Sequence, residues 1–103
     1  MKLSKFTIDN HAYYDKLIIE QNNSCAICEK VKPYRLAVDH NHKCCIFRPC
    51  NNCRRGLLCY TCNSILGKAR DNVDEITNFS PFRNNPILIK SVSDYLNKYS
   101  LRA

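Results

Sequence analysis

The chain has 103 residues, enough for one small domain, with 16 Lys plus Arg against nine Asp plus Glu, a formal net charge of +7. That length excludes a large core, so a stability of about 5–15 kcal/mol or less is expected. The basic balance suggests a polyanionic partner, of which nucleic acid is the commonest. The opening "MKLSKFTIDN" lacks the apolar run of a signal peptide. No later stretch approaches the roughly 18 apolar residues of a membrane span. The expected setting is therefore cytoplasmic and reducing, without membrane contact, and there eight Cys indicate metal rather than disulfides.

In chain order, Tyr13 or Tyr14, Leu17 and Ile18 fall at helical spacing and predict a helix over about 7–21, with Thr7 or Asp9 as its cap. His11 reads as a surface residue of that helix. "NNS" breaks it just before the first Cys pair. "YRLAV" reads as a short strand and "GLL" as a second, separated by a polar loop containing Pro49. "NSILGKARDNVDEI" reads as one helix with an uneven apolar face, weakened by Gly67. "FSPFRNN" is a turn-rich connector. The last helix, over about 86–99, has Asn85 as N-cap and Pro86 at its first position. Leu88, Ile89, Val92, Tyr95, Leu96 and Tyr99 form one apolar face. That face packs on the domain in the simplest reading and serves a homodimer in the alternative. The whole chain is expected to be one domain, its central core running over about 25–76.

Three C-x-x-C pairs are present: Cys25/Cys28, Cys50/Cys53 and Cys59/Cys62. Each can offer two thiolates to one ion, and two pairs complete the tetrahedron that Zn²⁺ accepts. Spacing alone leaves the partner of Cys25 and Cys28 open. The flanks favour Cys59 and Cys62, because "RGLLCYTCN" runs an apolar strand into the pair and a helix out of it. A structural zinc on Cys25, Cys28, Cys59 and Cys62 leaves the acid and imidazoles of "VDHNHKCC" for other work. Cys44, Cys45, Cys50 and Cys53 form a second cluster, read either as a second zinc site, with His42, or as free thiols.

"CAIC", "LAVDHNH" and "RGLLCYTCNSILG" together resemble the recombination endonuclease VII family, a branch of the HNH or His-Me finger nucleases. The flanks "YDKLIIEQNNSCAIC" and "NPILIKSVSDYL" extend the likeness over nearly the whole chain. The resemblance implies a small α+β fold, a zinc-bound ββα-metal core flanked by N- and C-terminal helices. It also maps the structural zinc onto Cys25, Cys28, Cys59 and Cys62. It assigns Asp39 and Asn63 to a catalytic divalent cation, usually Mg²⁺, and His40 to the general base, and it associates such proteins with phages and mobile elements.

Those residue types suit phosphodiester hydrolysis. A neutral imidazole takes a proton from water near pH 7. A hard cation on a carboxylate and an amide oxygen stabilises charge on the phosphorane and the leaving 3′ oxygen. His42 either contacts the scissile phosphate or supports the metal site, or is a loop His bonded to backbone. Lys43, Arg48, Arg54, Arg55, Lys68 and Arg70 are the candidate nucleic-acid contacts; for Arg54 and Arg55, ordinary solvated charge is the alternative. Junction-resolving members of the family carry a His two before the Asp and a Glu three after the Asn; Ala37 and Leu66 stand there. The chain also closes soon after its last helix, with little length for an extended dimerisation region. The expectation is thus a metal-dependent DNA endonuclease that nicks or cuts duplexes, including branched DNA, rather than a dedicated junction resolvase. The alternative is a non-catalytic, zinc-stabilised nucleic-acid-binding module.

Overall fold

Residues 5–41 and 53–100 are described by the computed structural model. Among them the order is α1 (Lys5–Glu20), β1 (Ala37–His40), β2 (Arg54–Leu58), α2 (Tyr60–Ala69), α3 (Val73–Ile76) and α4 (Pro86–Ser100). This is a small α+β fold, with one two-stranded antiparallel sheet and helices around it.

Helix α1 buries Tyr14 and Leu17, with Tyr13 and Ile18 half-buried beside them. It begins at Lys5, so neither Thr7 nor Asp9 stands at its start. It ends where Asn22 and Asn23 take positive φ angles of 54° and 61°, a conformation that Asn tolerates better than most residues. Their N–H groups return to the Ile19 and Ile18 carbonyls at 3.1 and 3.0 Å and cap the helix. Gln21 then docks this end onto β2. Its Nε2 donates to the Leu57 carbonyl at 3.0 Å, and its Oε1 accepts from the Leu57 N–H at 2.9 Å. The Ala26 N–H also reaches the Leu57 carbonyl, at 3.0 Å. The open edge of the sheet is thereby hydrogen-bonded, which blunts its tendency to pair with another chain.

The first strand lies further along than "YRLAV" predicts. The Leu36 N–H donates to the Tyr14 hydroxyl at 3.3 Å, so its hydrogen bond goes to α1 and not to a strand neighbour. Tyr34 stacks on Tyr60 at 4.2 Å between ring centroids. The sheet pairs Ala37 with Leu58, Val38 with Leu57 and His40 with Arg54. Two steps on β1 therefore match three on β2, which makes a bulge that sets Arg55 and Gly56 opposite Asp39. Gly56 is needed for space: a Cβ there would lie 2.8 Å from Tyr95 Cε1 and 3.3 Å from Ala26 Cβ.

The predicted single helix after Cys62 is two helices, the first of which starts at Tyr60 and already contains Cys62. Arg70 takes a left-handed conformation (φ 50°, ψ 45°) and Asp71 follows at φ 63°. The Arg70 N–H reaches the Gly67 carbonyl at 3.3 Å and the Asp71 N–H reaches Leu66 at 3.1 Å, closing α2 as a Schellman cap. Asn72 Oδ1 then accepts from Asp74 and Glu75 at 2.9 and 3.3 Å and starts α3. In the connector, Phe82 is fully buried, so this segment supplies core as well as turns. Asn85 Oδ1 accepts the Leu88 N–H at 3.1 Å, the N-cap expected for α4. The core joins Leu57 and Leu58 of β2, Ile65 and Leu66 of α2, Ile76, Phe82, and Val92, Tyr95 and Tyr99 of α4. Among the described residues no helix is long and apolar enough to cross a membrane.

Candidate functional site

The first feature is a cluster of thiols. A knuckle turn brings Cys25 and Cys28 together. Its Ile27 N–H points at Cys25 Sγ at 3.5 Å, and its Glu29, at φ 62°, returns an N–H to the Cys25 carbonyl. Strand β2 delivers Cys59 to the start of α2, whose first turns carry Cys62. All four sulfurs lie within 4.8 Å of one another, with Cys28 and Cys59 at 3.9 Å. A tetrahedron with Zn–S bonds of about 2.3 Å has edges of about 3.8 Å. The set therefore could hold one metal ion, and three of its four members are buried. A hydrogen bond from Cys62 holds the Cys25 thiol well below its ordinary range, and the same contact, with burial, pushes Cys62 up. Cys28 is raised, chiefly by burial.

The second feature lies on the sheet. Asp39 and His40 are neighbours on β1, so strand alternation sends their side chains to opposite faces. Asp39 is fully buried at 0 % exposure, and His40 is half-buried. Asp39 Oδ2 accepts two strong hydrogen bonds, from Arg55 Nε at 2.8 Å and from the Tyr95 hydroxyl at 2.6 Å. The far end of Arg55 grips Asp71 with both terminal nitrogens, at 3.2 and 2.9 Å. The bulge aims Arg55 at Asp39, and the left-handed turn after α2 brings Asp71 to the same guanidinium. Burial opposes the charge on Arg55, yet the two carboxylates keep it firmly protonated. Burial and the Asp39 charge raise the Tyr95 phenol well above its usual value near 10, so it remains an O–H donor.

Asn63 sits half-buried on α2, one residue past the second knuckle, with its N–H on the Cys59 carbonyl at 2.9 Å. Helix α2 packs on both strands. Strand β1, strand β2 and α2 thus form one ββα unit, clipped to the first knuckle by the cysteine cluster. Lys68 and Arg70 are exposed on and just after α2. Arg54 and Arg55 are each 6 % exposed, Arg54 Nε reaching Asn10 Oδ1 at 3.3 Å. They support the fold from inside instead of presenting charge. His42, Lys43, Cys44, Cys45, Arg48 and Cys50 lie outside the described residues. Cys53 is buried, and its carbonyl accepts the Asn41 N–H at 2.8 Å. Two participants in the Asp39 network were not foreseen as such. Tyr95 was indistinguishable from its neighbours on an apolar helix face, and Asp71 stood in an ordinary polar turn.

The described residues thus define a small α+β domain in which a four-cysteine cluster able to hold a metal ion clips two strands and a helix together. The particular family follows from sequence comparison: the chain belongs to the recombination endonuclease VII family, whose profile matches residues 2–98. It is also 35 % identical over 77 residues to the "Gene 59 protein" of Mycobacterium phage D29. That alignment covers 72 % of this chain and 42 % of the phage protein, so the chain corresponds to less than half of that relative. No solved structure matches the chain.

Proposed function

We propose that the chain is a zinc-scaffolded, divalent-metal-dependent DNA endonuclease of the HNH type. The observation that carries this reading is the single ββα unit in which Asp39–His40 and the Asn63-bearing helix meet, with four sulfurs strapping the helix start. Membership of an endonuclease family supports the same conclusion. Zinc suits Cys25, Cys28, Cys59 and Cys62, an all-sulfur set of the right size and burial, and its role there is structural. A hard cation suits the carboxylate of Asp39 and the amide oxygen of Asn63. When bound, such a cation would stabilise negative charge on the scissile phosphate and the departing oxygen.

The chain's own groups do the rest. His40 accepts a proton from water, the oxygen attacks phosphorus in line, and the P–O3′ bond breaks. The 3′ oxygen leaves and takes up a proton, giving 5′-phosphate and 3′-hydroxyl ends. Lys68 and Arg70, with Lys43 and Arg48, attract the phosphate backbone. Branched DNA belongs among the substrates to test, given the recombination endonucleases to which the chain is related. Leu66 is fully buried where junction-resolving members carry a Glu, so this chain spends that position on core packing. A phage origin fits the phage relative.

One observation favours a second reading, a binding module without catalysis: Asp39 Oδ2 is already ion-paired to Arg55. The experiment that separates the two is incubation with supercoiled plasmid, linear duplex and four-way junction DNA, in Mg²⁺ or Mn²⁺. Nicking or cutting is expected, and His40→Ala should slow it about 10²–10⁴-fold, the usual worth of a general base. Salt-sensitive binding with no cleavage in any divalent metal would establish the second reading instead.

A further inference from the structure

The last helix reaches across the molecule to the first strand, and it does so with one polar atom. Tyr95 is 56 residues from Asp39, yet its hydroxyl lies 2.6 Å from Oδ2, the oxygen that also receives Arg55 Nε at 2.8 Å. The two donors come from different elements, α4 and β2. A carboxylate held this way has little freedom to rotate, and a cation would have to be met through the other oxygen, Oδ1. Three features of the chain are arranged around the contact. The β2 bulge turns Arg55 inward. Asp71, in a left-handed turn, takes both ends of the guanidinium fork. Gly56 leaves the space into which the Tyr95 ring fits, where any Cβ would sit 2.8 Å from it. A hydroxyl is not needed for packing at this point, since phenylalanine would fill the same volume.

We propose that Tyr95 and Arg55 are positioning residues for the Asp39 carboxylate, holding Oδ2 so that Asp39 ligates the catalytic cation through Oδ1 alone. Arg55 is anchored from behind by Asp71, so that it orients Asp39 without moving towards it. Helix α4 thereby becomes part of the metal site through the Tyr95 hydroxyl. The same helix borders the cysteine cluster: Leu88 and Ser91 line a cavity of about 570 Å³ with Cys28, Cys59 and Cys62. One element therefore touches the surroundings of both ion sites. This inference rests on the metal-dependent reading of Asp39 proposed above.

The test is Tyr95→Phe, which deletes one hydrogen bond and keeps the ring, compared with wild type in three measurements. These are thermal stability, Mn²⁺ binding followed by electron paramagnetic resonance, and plasmid cleavage as a function of Mg²⁺ concentration. Removing an outer partner of a metal ligand usually lowers metal affinity about 10–100-fold. The expected result is a rise of about 10-fold in the Mn²⁺ dissociation constant and in the Mg²⁺ needed for half-maximal cleavage. DNA binding measured without divalent metal should stay within twofold. Asp71→Asn, which loosens Arg55 from behind and leaves Tyr95 in place, should shift both readouts in the same direction by less. If wild type cuts DNA while both variants show its metal dependence unchanged, Asp39 is not positioned in this way and the inference fails alone. If wild type neither binds Mn²⁺ nor cuts, the reading of Asp39 as a metal ligand fails and takes this inference with it.

Discussion

The residues of the candidate site are not distinguished by exposure. Arg55 is the clearest case. In sequence it stands in a basic pair before a short apolar strand, where a phosphate contact and solvated charge are the natural alternatives. The fold gives it a third role, at the centre of a buried network with Asp39 and Asp71. Arg55→Ala should therefore destabilise the protein by about 3–5 kcal/mol, because it leaves carboxylates buried without their counter-charge. Lys68→Ala and Arg70→Ala should leave the melting temperature nearly unchanged. They should weaken DNA binding and each lower the salt dependence by about one phosphate contact. Urea unfolding and binding titrations at several salt concentrations check both halves of the contrast. A stable Arg55→Ala variant with impaired DNA binding would return this residue to the interface. Adjacency and family likeness single out Asp39 and His40 as candidates, but the burial of Asp39 and the identity of its partners are not legible in sequence. Those partners are 16 and 56 positions away, and no local spacing encodes them.

At the scale of elements, local signals worked where capping chemistry was strong. Asn85 and Pro86 mark the start of α4 in sequence, and the Asn85 side chain caps it. Asn85→Ala should cost about 1 kcal/mol, measurable by chemical denaturation, without changing the fold. The asparagines after Gln21 end α1 for an equally local reason, their tolerance of positive φ. Signals failed where a tertiary partner overrode a pattern. The first strand starts late because Tyr14 takes the hydrogen bond of Leu36. The helix after β2 is cut in two at Arg70 and Asp71, where neither Gly nor Pro announces a stop. That break is useful to the site, since it turns Asp71 towards Arg55. The apolar pattern in "YRLAV" fits strand and buried loop equally, so periodicity could not separate them.

For the whole molecule, the cysteine cluster should decide whether the domain folds. A structural Zn²⁺ is worth about 10–16 kcal/mol in apparent binding energy, comparable with the entire stability of a small domain. Treatment with a strong chelator should therefore unfold the protein, with loss of helical circular dichroism alongside release of zinc by metal analysis. Native circular dichroism after verified zinc removal would show that hydrophobic packing suffices alone. Among the described residues the core is one cluster that joins α1, β2, α2, α3 and α4.

What the sequence determined by itself was the content with local or compositional origin. It specified the small α+β class, the flanking helices and the family, and it favoured the pairing of "CAIC" with "CYTC" through the strand and helix that flank the latter. These are legible because turn, cap and knuckle chemistry depend on residues within a few positions of one another. Tertiary structure alone decided which charges are buried, that a β-bulge faces Asp39, and that a tyrosine of the last helix completes its hydrogen bonds. Such facts depend on distances between segments far apart in the chain. Those distances exist only once burial of apolar surface has drawn strands and helices onto one another.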